Sequence, residues 1–201
     1  MATGCRGSRS STGRISIGRS AVARASRCGG SSAARPSPSS RSERDLWLGI
    51  AAQLPPHLLA RATAERPIEI RPVELRDPFH PVAAPALRRA WYRAVDQLPD
   101  DPALHRYLLA YASDFAFLGT ALDPHAMSWL TPGLQIASLD HVMWFHRPFR
   151  LDDWLLYVVD SPSASGARGL VRGQFFDRAG RLVASTAQEG LIRRRRSTNV
   201  P

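Results

Sequence analysis

Lysine is absent from this chain, and all 27 of its basic residues are arginine. Arginine codons are rich in G and C where lysine codons are rich in A and T, so the expected source is a GC-rich, bacterial genome. Cysteine is nearly absent too: the two copies, Cys5 and Cys28, both fall in the N-terminal segment. The rest of the chain therefore has no thiol to oxidise, to hold zinc or to act as a nucleophile. No apolar run approaches the roughly 18 to 20 residues that cross a bilayer. Residues 1–42 also lack the apolar centre of a signal peptide. The expectation is a soluble, cytoplasmic protein with no membrane partner.

What is present is one domain's worth of core-forming sequence, 201 residues with 44% hydrophobic content. The formal charge of +10 suggests an anionic partner until its distribution is examined. Residues 1–42 hold eight arginines and no Asp or Glu, and Arg193–Arg196 add four more. Between them 15 arginines face all 17 acidic residues, a net of about −2, so the globular part is not basic. Residues 1–42 are Ser, Arg, Gly and Ala with few large apolar side chains, and cannot bury enough surface to offset chain entropy. They are expected to be disordered, as are 195–201. The same composition suits an organellar transit peptide, which is the alternative localisation. Nucleic acid is not an expected partner, because no aromatic residue is interleaved for base stacking.

Residues 43–66 read as a linker-like segment with short helical stretches, interrupted at Pro55-Pro56. A single domain is expected over 67–194. Ile68 and Ile70 alternate with polar neighbours, as do Ala90, Tyr92 and Ala94 with Trp91, Arg93 and Val95, and both runs predict strands. Asp101 is a suitable N-cap and Pro102 a suitable first helical residue. Leu104, Leu108, Tyr111, Phe115, Leu118 and Leu122 recur at helical spacing, predicting one long helix that stops at Asp123-Pro124. Apolar runs at 134–145, 154–160, 169–176 and 182–192 predict four more strands, with turns at Pro148, Ser161-Pro162 and Asp177–Gly180. The fold class is α+β.

Three polar residues fall on or beside predicted apolar faces. Asp114 lies ten residues after Leu104. At about 100° per residue, that places it on the flank of the helical stripe. There it is either a solvated helix-edge carboxylate or a partly desolvated acceptor for a water proton. Ser138 shares a strand face with Ile136, Asp140 and Val142, either as a satisfied core hydroxyl or as part of a site. Gln188 shares a face with Leu182, Ala184, Thr186 and Gly190, where a structural cross-strand bond is the plain alternative. His141 and His146 are five apart in one predicted strand and face opposite sides, which removes simple chelation, so no metal is expected. Arg147 and Arg168 are candidates for contacting phosphates. Trp144, Phe145, Trp154 and Phe176 are expected in the core. Neither a GxSxG elbow nor a GxxxxGK loop occurs.

The runs YASDF, SLDHVMWFHRPF, DWLLYVVDSPSASGARG and RLVASTAQEGLIR, within roughly Glu65 to Arg194, resemble the C-terminal half of the acyl-CoA thioesterase II family. The resemblance implies a hot-dog fold, an antiparallel sheet wrapped around one long helix, and a single repeat of a normally double hot-dog chain. It implies acyl-CoA as substrate, no cofactor, and a catalytic group made of Asp114, Ser138 (where the family more often has Thr) and Gln188. In that group a water attacks the thioester directly, with no acyl-enzyme. A single repeat further implies pairing, as a homo-oligomer or with another hot-dog domain. The second reading is a catalytically incomplete module that binds acyl-CoA or a partner protein.

Overall fold

The computed structural model describes residues 41–115 and 117–194. The predicted disordered tails, apart from Arg41 and Ser42, lie outside the described residues. Ser42 is not tail: its hydroxyl accepts from the Asp45 amide at 3.1 Å and donates to the Asp45 carboxylate at 2.6 Å, capping helix α1, Glu43–Gly49. A 3-10 turn, Ala51–Gln53, leads to helix α2, Pro56–Thr63. Pro56 occupies the first helical turn, where its missing N–H leaves no bond unmade, so the proline pair begins a helix as well as ending one.

Seven strands form one curled antiparallel sheet: β1 (Ile68–Pro72), β2 (Leu87–Ala94), β3 (Leu134–Ser138), β4 (Val142–Phe145), β5 (Leu155–Ser165), β6 (Arg168–Phe176) and β7 (Leu182–Arg194). Their order is β1-β2-β5-β6-β7-β3, with β4 also on β7. The inner face carries Ile68, Ile70, Tyr92, Ala94, Leu155, Tyr157, Val159, Val171, Phe175, Val183 and Ala184. Apart from Val183, which falls at a register shift between β6 and β7, these are alternate positions of each strand, as a half-buried sheet requires.

Two expectations about the strands need correction. The run 134–145 is two strands rather than one, broken at Leu139–His141. At the break, the Leu139 amide donates to Glu189 O at 3.0 Å and the Asp140 carboxylate accepts from the Glu189 amide at 2.7 Å, so β7 is met without the regular ladder. Ser161-Pro162 is not a turn either. β5 runs on to Ser165, with a register shift between Asp160 and Ser163 that accommodates the proline's missing donor. The chain reverses instead at Gly166 and Ala167, both at positive φ.

The helix also departs from expectation. Helix α3, Pro102–Ser113, is capped by Asp101, whose carboxylate accepts from the Ala103 amide at 2.8 Å, and it ends at Ser113 rather than reaching Leu122. Leu118 and Leu122 are buried as expected, but the intervening residues form 3-10 turns at Leu118–Ala121 and Asp123–His125. A distant ion pair holds these turns: Asp123, 4% exposed, takes a two-pronged bond from Arg88 at 2.7 and 2.8 Å. The buried side of α3 is His105, Leu109, Ala112 and Ser113, whereas Tyr111, expected in the stripe, is 53% exposed. His105 Nδ1 accepts from the Leu151 amide at 3.0 Å, and this anchor sets the rotation of the helix.

Candidate active site

Gln188 stands on β7 at the inner face with Ala184, Thr186 and Gly190, in agreement with the alternation of the sequence, and is 1% exposed. A buried amide must be hydrogen-bonded or it costs about 1–3 kcal/mol. Its nitrogen donates to Ser138 Oγ at 2.6 Å, and its oxygen lies 2.6 Å from His141 Nδ1. Ser138 closes β3 opposite Gly190 in the β3–β7 register. Glycine is needed there, because a Cβ would overlap the side chain of Leu118. Ser138 is exposed, so the buried amide holds a hydroxyl that solvent or a ligand can reach. The expected continuity of one face from Ser138 through Asp140 to Val142 is lost at the strand break.

The hydrogen-bonded chain continues past the amide. His141 Nε2 lies 2.8 Å from Ser113 Oγ, and Ser113 Oγ lies 2.8 Å from Ala110 O. Beneath it, the Tyr157 hydroxyl donates to Ser113 O at 3.1 Å and stands 2.8 Å from Thr186 Oγ1. Burial pushes the Tyr157 phenol pKa up, against a smaller opposing effect of the Thr186 bond and with a further push from the Asp114 charge, so the ring is a neutral donor. Asp114 follows Ser113 as the C-cap of α3 and is exposed. No side-chain hydrogen bond engages its carboxylate among the described residues.

The structure therefore joins Ser138 to Gln188 directly and brings Asp114 to the same cluster through its neighbour Ser113. His141, Ser113 and Tyr157 are members that sequence reading missed. The signal for His141 was its place in the Asp-His pair beside Ser138. Tyr157 was visible only as an aromatic residue in an apolar strand.

Other candidates separate from this cluster. His146 Nε2 is 2.9 Å from Ser185 Oγ, away from Gln188 on β7. Arg147 donates to Leu182 O at 2.6 Å, and Arg168 reaches Glu189 at 3.5 Å. Trp154 and Phe176 are buried as expected, but Trp144 and Phe145 are exposed, at 50% and 40%. They sit on β4, a short strand paired on one side with β7. Two open grooves, one lined by Arg106, Phe145, His146, Arg147 and Pro148 and one by residues around Arg93 and Arg150, include none of Asp114, Ser138 or Gln188. Among the described residues no three His, Cys, Asp or Glu gather as a metal site, and no helix is long and apolar enough to cross a membrane.

The family model described as acyl-CoA thioesterase matches residues 58–191. The chain belongs to the acyl-CoA thioesterase II family. It is 44% identical over 144 residues to acyl-CoA thioesterase 2 of Haemophilus influenzae, covering 72% of this chain and 50% of that protein. To human acyl-coenzyme A thioesterase 8 it is 45% identical over 139 residues, covering 66% of this chain and 41% of the relative. The crystal structure of an acyl-CoA thioesterase II, TesB2, from Mycobacterium marinum superposes with a TM-score of 0.56 at 46% identity, over 68% of this chain and 53% of that one. The thioesterase sheet is thus of hot-dog type. The chain spans about half the length of the relatives it matches, and corresponds to the family's C-terminal region.

Proposed function

We propose that this chain hydrolyses acyl-CoA thioesters, with Asp114, Ser138 and Gln188 as the catalytic group. The observation that carries the reading is the buried Gln188 amide bonded at 2.6 Å to the exposed Ser138 hydroxyl, in a member of a family whose relatives are named acyl-CoA thioesterases. Gln188 and Ser138 hold a water. Asp114 takes one of its protons as the oxygen attacks the thioester carbonyl. Collapse of the tetrahedral intermediate breaks the C–S bond, and the thiolate of coenzyme A leaves and takes up a proton. Free fatty acid and coenzyme A are the products, which places the chain in lipid metabolism. No acyl-enzyme forms, in keeping with the lack of a core cysteine or a GxSxG serine.

The chain is read as a single repeat of a double hot-dog protein, with α3 as the central helix. Its partner is a second copy or another hot-dog domain. Two features support pairing: the candidate residues line neither of the two grooves described above, and β4 presents Trp144 and Phe145 to solvent. Sedimentation of a monomer at micromolar concentration would remove the second copy as partner. The half-length match also favours one second reading, a module that binds acyl-CoA without cleaving it.

Free-thiol release from a medium- or long-chain acyl-CoA decides between the two. Asp114→Asn keeps the side-chain shape and removes the base, so turnover is expected to fall by roughly 10²- to 10⁴-fold with binding retained. A folded, fully active Asp114→Asn overturns the assignment. A native chain that binds acyl-CoA but releases no thiol makes it a binding module.

A further inference from the structure

The hydrolytic reading uses Ser138 and Gln188 and leaves His141 without a role, although its ring stands between Gln188 and Ser113 at 2.6 and 2.8 Å. We propose that His141 is a positioning residue that ties the Gln188 amide to the helix end bearing Asp114. The ring joins two elements far apart in sequence, β7 and the C-terminus of α3. Because Asp114 directly follows Ser113, the distance from carboxylate to amide is set through this ring.

The strand break at Leu139–His141 exists in a form that permits this. Ser138 and His141 are three residues apart, so in an unbroken strand their side chains would point to opposite faces. Both nevertheless bond the same amide on the inner face. Leaving the ladder between Ser138 and Val142 turns the His141 ring inward, and Asp140 and Leu139 hold the detour on Glu189. An edge-on contact with the buried ring of Phe117, 5.7 Å between centroids at 73°, fixes the imidazole's tilt.

Gln188 turns its nitrogen to Ser138, so its oxygen accepts from His141 Nδ1, which carries hydrogen. The Ser113 hydroxyl, within reach of both Ala110 O and His141 Nε2, completes the link to the helix end.

The test uses the full chain and rests on the hydrolytic reading only in its first arm. His141→Phe keeps the ring contact with Phe117 and removes both nitrogens. Its kcat is expected to fall by roughly 10- to 100-fold, as a loosened constellation does, with KM within about threefold and a lowered melting temperature because the buried Gln188 oxygen loses its partner. His141→Gln, which restores a donor and an acceptor, is expected to recover part of the loss. A folded His141→Phe with native kcat overturns the proposal.

The second arm needs no activity. Ring nitrogen resonances of the native chain are expected to show a protonated Nδ1, and Gln188→Met is expected to move its resonance. A bare Nδ1, or an Nδ1 indifferent to Gln188→Met, overturns the proposal even if His141→Phe fails to fold. An inert native chain would sink the hydrolytic reading alone, leaving the resonances to judge the His141 link.

Discussion

Replacing Tyr157 by Phe removes one oxygen from the floor beneath the candidate site, and the cost follows from who loses a partner. Ser113 O only accepts, so Tyr157 donates to it at 3.1 Å. Thr186 Oγ1, 2.8 Å away, must then donate to the Tyr157 oxygen. In Tyr157→Phe both the Ser113 carbonyl and the Thr186 hydroxyl are left buried without these partners. At about 1–3 kcal/mol for each orphaned group, the expected loss is at least about 2 kcal/mol, with the ring contacts to Tyr92, Phe117 and Phe175 kept. Thr186→Val removes the second orphan in advance. The double variant should therefore be more stable than the sum of the single losses implies, by about 1 kcal/mol or more. Urea denaturation of the four proteins measures this. A Tyr157→Phe loss under about 0.5 kcal/mol, or additive losses, would refute the bonding pattern.

The same reasoning extends to two charged sites. Arg88→Met leaves the buried Asp123 carboxylate with Arg76 at 3.2 Å as its remaining ion pair, and should destabilise by about 3 kcal/mol in denaturant titration. A change within about 0.5 kcal/mol would show that Arg88 does not hold the 3-10 turns. Asp152 accepts from Arg150 and from the Leu98 amide, and the Arg150 bond first of all lowers its pKa to about 2 from an ordinary 3.8. A depressed carboxylate stabilises the fold above its unfolded pKa and loses that effect as pH falls toward the folded one. The melting-temperature gap between native chain and Asp152→Asn should therefore be widest above pH 4 and close toward pH 2. A gap independent of pH would contradict the pairing.

Much of the sheet was legible along the chain. Ala184, Thr186, Gln188 and Gly190 share the buried face that period-two alternation assigns them, and Asp101-Pro102 starts α3 where capping chemistry places it. Less legible was anything decided by a distant partner. The end of α3 was misread because Leu118 and Leu122 keep helical spacing while the Asp123–Arg88 pair, 35 residues apart, holds their backbone in 3-10 turns. Ser161-Pro162 looked like a turn because proline and serine favour one locally, whereas pairing with β6 carries the strand through with a shift in register. Trp144 and Phe145 were expected inside because they are large and apolar, yet β4 leaves them at the surface.

By itself the sequence determined the charge distribution, the strand faces, the start of α3 and the family-like runs that contain Asp114, Ser138 and Gln188, all of which depend on residue type and near neighbours. Only the tertiary structure decided that Ser138 and His141 turn to one amide, that His141 reaches Ser113, and that Asp114 lies at a helix end. Those facts depend on cross-strand register and on a break in a strand, which are set by contacts between residues about 28 to 50 positions apart. Local pattern carries no information about such contacts, because alternation fixes a residue's face but not the residue it will face.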